Sequence, residues 1–436
     1  MRCRGTPPVP IDRSTILSNE RMSIEVPRRV RLFSALSCRD FRVFWTGFLV
    51  SMTGNWMQMF ALGWLVVELA VHEGTPERAA LYLGLVGFAR LVPSLLVGLV
   101  AGAVADRVDR RTILVVEESG ALVVAIVLAV LTLTDMITLG WIIGLSAVGA
   151  VTGTFENLTR SAIIPGLVEP EDLVSAVAMN GTAVNLSVLL GPLLGGVFIG
   201  PLGIGGLLIL NAASFLASLL SLALIPAQRI VQDAGPRVSM IGAIRQGLGY
   251  VRATPFVRWQ LFLLAAVTLL GYPVSQLLPA WVNDLHMGAV ELSWLAAAEG
   301  AGGLLATLVA PLLGARGGYG RVFVTTSLGA GACMILFGVQ HHEVTAIMLI
   351  VVVAFMMVVA GTLCMMITQL TTPDQLRGRV ISVQALIVTA GIPGGTLLLG
   401  AWGSLVGVGA AVSAAGAVLT LASVVVLMRA PTLRSI

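Results

Sequence analysis

Residues 81–133 read LYLGLVGFARLVPSLLVGLVAGAVADRVDRRTILVVEESGALVVAIVLAVLTL. Two long apolar runs flank a short link, DRVDRR at 106–111, in which five of the six residues are charged. About 20 apolar residues in a helix cross the hydrocarbon core of a bilayer. A soluble hairpin would need a polar face on each helix, and neither run has one. The segment is therefore expected to cross a membrane, turn, and cross back.

The rest of the chain repeats this pattern. Of 436 residues, 57% are hydrophobic and 11% charged, with a mean hydropathy of +0.95. A soluble domain carries roughly 25% charged residues. Apolar spans are expected at about 41–70, 79–104, 112–134, 137–158, 173–199 and 203–226. After a polar stretch come 256–282, 291–314, 321–339, 344–370, 378–402 and 404–428. This gives an all-α membrane fold of twelve helices, as two six-helix bundles at 41–226 and 256–428. Around them lie an N-terminal tail (1–40), a linker (227–255) and a C-terminal tail (429–436). In the linker, Ile241, Ile244, Leu248 and Val251 recur at helical spacing, as in an amphipathic helix on a membrane surface. Residues 1–40 lack the apolar core of a cleavable signal peptide and read as a tail, and Met22 is an alternative start.

All 26 basic residues are arginine. With the N-terminus placed inside, 24 fall on the inner side, Arg78 lies outside and Arg90 lies within a span. This bias sets both termini in the cytoplasm. It also argues against a nucleic-acid surface, since the arginines sit in gaps between spans and not on one helix. Cys3, Cys38, Cys333 and Cys364 have no metal or disulfide spacing. The four histidines map to outer loops, and no catalytic or metal cluster is expected. There is no Walker sequence and hence no ATP site, so an ion gradient, the proton gradient first, must drive any uphill cycle.

An internal repeat underlies the two bundles. EPEDLVSAVAMNG at 169–181 matches TPDQLRGRVISVQ at 372–384, an offset of 203 that also carries Gly191 to Gly394. Such halves rock about a central site.

The link GAVADRVDRR (102–111) has the spacing G-x-x-x-D-R-x-x-R-R. Gly102 permits close helix approach, Asp106 suits a helix N-terminus, and Arg107, Arg110 and Arg111 suit carboxylates or lipid phosphates. With this motif the chain resembles the major facilitator superfamily. Further stretches, DFRVFWTGFLVSMTGNWMQ, LVEPEDLVSAVAMN, LLPAWVNDLHM and TPDQLRGRVISV, are similar to the branch that includes the enterobactin exporter and the transmembrane secretion effectors. The resemblance covers 36–428 and implies a transporter, not an enzyme, working as a monomer in a bacterial inner membrane on a small molecule. It implies that Asp106 latches to the start of helix eleven, where Arg377, Gly378 and Arg379 lie, and that Arg110 pairs with Glu156, one turn before Arg160. GPLLGG, with Gly191, Pro192, Gly195 and Gly196, looks like an antiporter motif in which Ser187 replaces the usual upstream glycine. A generic glycine–proline kink is the alternative.

Charged groups inside spans are costly and mark function. Arg90 and Glu299 are expected roughly 16 Å and 12 Å from the same face. They are candidate substrate or proton contacts, as a pair across a central cavity or as separate buried contacts. Asn55 and Gln58 share a stripe with Ser51 on helix one, and Tyr272 and Gln276 share one on helix seven. Both stripes are expected to line the cavity or join helices. Glu117 and Glu118 are expected in the cytoplasmic charge network of Arg107–Arg111, and Met356, Met357, Met365 and Met366 in a deformable apolar wall or in plain packing. Proton-coupled export of an amphipathic molecule leads this reading. Lipid flipping on the same scaffold, and a non-transporting sensor or scaffold, are the alternatives.

Overall fold

The computed structural model describes residues 33–105, 108–153, 159–160, 163–225 and 240–434. Helices α1 (Arg39–His72), α2 (Ala79–Ala105), α3 (Arg110–Leu133) and α4 (Leu139–Gly153) open the first half. One continuous helical stretch, Leu173–Leu224, then breaks at Gly203 (φ 64°, ψ 179°) into α5 (173–202) and α6 (204–224). A side chain there would be strained, so this glycine sets the reversal between two crossings. The second half holds α7 (Pro255–Asp284), α8 (Ala289–Gly317), α9 (Tyr319–Gly338), α10 (Glu343–Thr371), α11 (Asp374–Val406) and α12 (Val408–Arg429). The chain is thus a multi-pass bundle of twelve crossings. Both described ends lie on one face, called here the terminal face. Ala35 packs with Ile163, Ile164 and Leu167 between α4 and α5. Leu433 lies against Gly320, between α8 and α9.

In lipid, helix association depends on close packing more than on burying apolar area. Small residues supply it. A Cβ on Gly331 of α9 would sit 2.8 Å from the Gly416 carbonyl oxygen of α12, and one on Gly416 would meet Gly331 in turn. Side-chain hydroxyls in the spans turn back to their own helix, as Ser327 Oγ does onto Phe323 O at 2.8 Å. A helix that satisfies its own polar groups costs nothing to bury.

Prolines and one irregular turn bend the spans that face the centre. Pro93 lies in α2, Pro192 and Pro201 in α5, Pro311 in α8 and Pro393 in α11. In α7 a π-helical turn, Val267–Gly271, runs directly into Pro273, which has no N–H to donate. Such wide turns inside helices recur at functional sites. This one sits next to Tyr272 and Ser275.

The linker helix, Met240–Ala253, docks on α11 as well as carrying an apolar face. A Cβ on Gly247 would meet the Arg379 carbonyl oxygen at 2.6 Å and Val383 Cγ2 at 3.0 Å. The absence of a side chain there lets the two backbones touch.

Candidate central site

Among the described residues, small residues bring the two halves together at three of the helix pairs that join them. Gly84 of α2 faces Thr396 and Leu397 of α11, and Gly400 faces Ala80. Gly300 of α8 faces Val188 and Leu189 of α5, and Gly196 faces Ser293. Gly63 of α1 faces Pro279 of α7. All these contacts lie at or beyond mid-membrane on the side away from the termini. On the terminal side of the same helices, Gly98, Gly181 and Gly378 have no atom within 4 Å of a built Cβ. Among the described residues, these contacts between the halves thus lie toward the far face.

A cavity of about 300 Å³ lies beneath those contacts. Apolar side chains of both halves make most of its wall, among them Trp56, Phe60, Leu83, Val86 and Ile392. Its charged lining is Arg90 from the first half and Glu299 from the second, with Tyr272, Ser275 and Gln276 beside Glu299. Ser275 donates its hydroxyl to Glu299 Oε1. Tyr272 OH donates to the Met357 carbonyl at 3.4 Å. Arg90 Nη2 donates to Ser146 Oγ at 3.5 Å. Among the described residues no ion pair joins Arg90 to Glu299. The two opposite charges stand on separate halves of one apolar chamber, and each leans on a neutral hydroxyl.

Glu299 also borders a pocket of about 120 Å³ that runs among α5, α7, α8 and α10, with Asn185, Gly303 and Met357 in its wall. Met365 and Met366 border a shallow depression that Tyr272 shares, while Met356 packs against Gly329.

The stripe on α1 goes elsewhere. Ser51, Asn55 and Gln58 line a separate cavity of about 180 Å³ inside the first half, between α1, α2, α3, α4 and α6. The reason is local partners. Gln58 Oε1 accepts from Asn211 Nδ2 at 2.8 Å, and Ser51 Oγ donates to Glu118 Oε2 at 3.2 Å. The hydrogen-bonding groups that satisfy this stripe lie on α3 and α6, so α1 turns it into its own bundle.

Glu118 is held deeper than a surface charge network requires. Its Oε1 accepts from Ser218 at 2.8 Å and forms an ion pair with Arg160, both partners almost wholly buried. The Arg160 guanidinium stacks over Phe48 at 4.4 Å. A buried pair is tolerable only when its remaining lone pairs are also bonded, and the two serines do that here. Nothing in the sequence spacing joins Glu118 to Arg160, 42 residues apart.

Of the motif residues, Gly102 lies on the last turn of α2, and Asp106, Arg107 and Glu156 lie outside the described residues. Asp109 caps α3: its Oδ2 accepts from Thr112 N at 3.2 Å. Arg110 opens α3, and Arg111 Nη2 donates to the Ala223 carbonyl at 3.2 Å. On α11, Arg377 pairs with Asp374 at 2.5 Å, Gly378 is open, and Arg379 presents its carbonyl to the linker helix. The GPLLGG segment packs on α1: a Cβ on Gly191 would sit 2.8 Å from Met57 N, and Gly195 faces the Phe60 ring. Gly196 faces across to α8. Ser187 is fully buried and accepts from Thr53 Oγ1 at 3.2 Å. A hydroxyl replacing glycine is therefore accommodated by a partner on α1. Among the described residues no group of three metal-ligating side chains forms.

Known proteins place this arrangement. A family model described as transmembrane secretion effector matches residues 31–435. The staphyloferrin A transporter of Staphylococcus aureus is 28% identical over 364 residues, 82% of this chain and 88% of its own. The multidrug efflux pump Tap of Mycolicibacterium fortuitum is 26% identical over 365 residues, 81% of this chain and 86% of its own. The enterobactin exporter EntS of Shigella boydii is 25% identical over 339 residues, 77% and 80% respectively. Among solved structures, a bacterial homologue of the human lysosomal transporter Spinster, inward-facing and unoccupied, is similar with a TM-score of 0.69 at 14% identity. It covers 88% of this chain and 96% of its own. A D-xylose–proton symporter gives 0.67 at 14% identity, covering 92% and 99%. The family match spans nearly the whole chain and the solved neighbours share its architecture: the chain belongs to the transmembrane secretion effector family and is a transporter of the major facilitator superfamily, not an enzyme.

Proposed function

We infer that the protein is a secondary active exporter of a small amphipathic molecule, driven by proton antiport through alternating access. The observation that carries this reading is the placement of Arg90 and Glu299 on opposite halves of one apolar chamber that is closed on one face. An amphipathic solute finds apolar area for its body and a charge of either sign for its polar end. With the termini in the cytoplasm, as the arginine bias favours, a chamber closed toward the far face is loaded from the cell. Relatives named as a multidrug efflux pump and an enterobactin exporter agree with outward movement of such compounds.

A coupled cycle needs substrate and proton to favour different states. Glu299 supplies the means. As a carboxylate it attracts a donor or cation on the solute and holds the Ser275 hydroxyl. Once protonated it loses that attraction, and the solute leaves. The carboxyl then carries the proton back across as the halves rock.

Purified protein in liposomes, with an imposed pH gradient, tests this directly. A panel of ethidium, a triscatecholate and a citrate-based carboxylate is loaded, and solute and internal pH are followed together. Uphill solute movement that dissipates the gradient is expected for at least one compound. Solute movement that ignores the gradient, or none across the panel, refutes coupled export. A requirement for labelled lysolipid instead of these compounds would move the reading to lipid flipping.

A further inference from the structure

The linker helix, Met240–Ala253, is amphipathic, yet its docking on α11 uses only part of its surface. We propose that its outer face is a binding site for anionic phospholipid, whose phosphate groups Arg245, Arg252 and Arg258 hold at the leaflet on the terminal side. The site is separate from the central chamber and does not depend on how solute movement is coupled.

The geometry starts from the docked face. Gly247 and Val251 are buried, Gly247 against the backbone of Arg379, and Tyr250 packs on the main core. Arg245, Leu248 and Arg252, at i, i+3 and i+7, share the neighbouring face. All three are exposed, Leu248 by 39%. Gln246, Gly249 and Ala253, also exposed, follow beyond them. The order around the helix is thus protein contact, then leucine with two arginines, then small and polar residues. A face turned wholly to water has no use for a leucine between two arginines. A helix lying in the membrane interface does: the leucine enters the acyl boundary and the guanidiniums stay at headgroup level.

The start of α7 fixes the depth. Arg258 is exposed on its first turn, one turn before Phe262, which is 47% exposed on the outside of the bundle. Trp259 meets Phe262 edge-on, with ring centroids 5.8 Å apart. Tryptophans gather at the membrane–water boundary, so Arg258 stands where headgroups begin.

Charge decides the sign of the ligand. Residues 227–258 contain five arginines and a single acid, Asp233. Among the described residues, Arg245, Arg252 and Arg258 form no ion pair. Asp374, the acid at the terminal end of α11, is held by Arg377. Guanidinium groups bind phosphate through paired N–H donors. Each arginine near an anionic leaflet contributes about fivefold in affinity, so three favour an anionic over a zwitterionic lipid by about 100-fold.

The test uses full-length protein with its four native cysteines replaced by serine and Gly249→Cys carrying a bimane reporter. No atom lies within 4 Å of a Cβ built at Gly249, so the label leaves the fold intact. The protein in nonionic micelles is titrated with phosphatidylglycerol, phosphatidylcholine or inorganic phosphate. Phosphatidylglycerol should shift the emission at concentrations at least tenfold below phosphatidylcholine, and high salt should weaken the response. Arg245→Gln/Arg252→Gln/Arg258→Gln should raise the phosphatidylglycerol half-saturation at least tenfold and leave phosphatidylcholine within twofold. Lysine at the same three positions keeps the charge without the fork and should restore at least a third of the affinity. Arg429→Gln, at the terminal end of α12, should change nothing. Arg252→Gln alone, with an expected loss of at least threefold, decides the matter if the triple variant does not fold. Equal half-saturation for the two lipids, or a phosphatidylglycerol response that ignores the substitutions, overturns the site. A matching response to inorganic phosphate at the same concentration overturns the lipid in favour of a free anion.

Discussion

The seal between α2 and α11 gives the most quantitative prediction. A methyl group at residue 84 would lie 2.8 Å from Leu397 Cα, 2.9 Å from Thr396 O and 3.3 Å from Leu397 N. All three are backbone atoms, so no side chain can rotate away. Carbon pairs prefer about 3.5–4.0 Å, so Gly84→Ala must move the helices apart by about 0.7 Å or more. Overpacking of this kind costs about 1–3 kcal/mol. The cost falls only on the state in which the far face is shut. It should therefore shift the balance toward the opposite state by about 5- to 150-fold. The assay is thiol labelling in a background with all four native cysteines replaced by serine. Ser293→Cys puts a reporter in the α5–α8 seal, a different helix pair, where Ser293 is buried against Gly196. A membrane-impermeant maleimide added from the far face should label it at least fivefold faster in Gly84→Ala. Gly98→Ala, on the same helix with no atom within 4 Å, should leave the rate unchanged. Equal rates in all three proteins would refute the claim that the halves move as rigid bodies sealed by α2–α11.

Other expectations follow from the same contacts. Glu299→Gln should abolish gradient-driven transport while leaving expression and Tm intact, since glutamine still bonds the Ser275 hydroxyl; full transport across pH in that variant ends the coupling role of Glu299. Glu118→Ala breaks the buried pair with Arg160 and should cost about 3–5 kcal/mol, seen as a lowered Tm in detergent that Glu118→Ala/Arg160→Leu partly recovers. Asp109→Ala removes the α3 cap and should cost about 1 kcal/mol, a small loss of Tm with transport retained; no change in Tm would mean that the cap contributes nothing.

How much of this was legible in the sequence depends on which force wrote it. Span number is a matter of apolar length against bilayer thickness, and the lengths of α2 and α3 with their charged link carried it plainly. Arg90 and Glu299 stood out because charge inside an apolar run is rare, and the structure brings both to one chamber. The apolar wall, Trp56, Phe60, Leu83, Val86 and Ile392, left no mark, because a cavity-facing leucine and a lipid-facing leucine read alike. The α1 stripe was visible as a polar face, but its direction was not. A stripe says only that partners exist, and Asn211 and Glu118 on α6 and α3 decide where. The Glu118–Arg160 pair was invisible for the same reason: neither position has a helical spacing to the other. The π turn in α7 had only Pro273 as a signal, and a proline marks a break without specifying its form.

The central claim is that the two halves alternately open opposite faces around the Arg90–Glu299 chamber. Paired spin labels measure it most directly, with one pair at Glu77 and Leu405 on the far face and one at Val174 and Arg316 on the terminal face. Shifting pH or adding a transported compound should lengthen the first distance as the second shortens. Both distances rising together, or neither moving while transport proceeds, would contradict it.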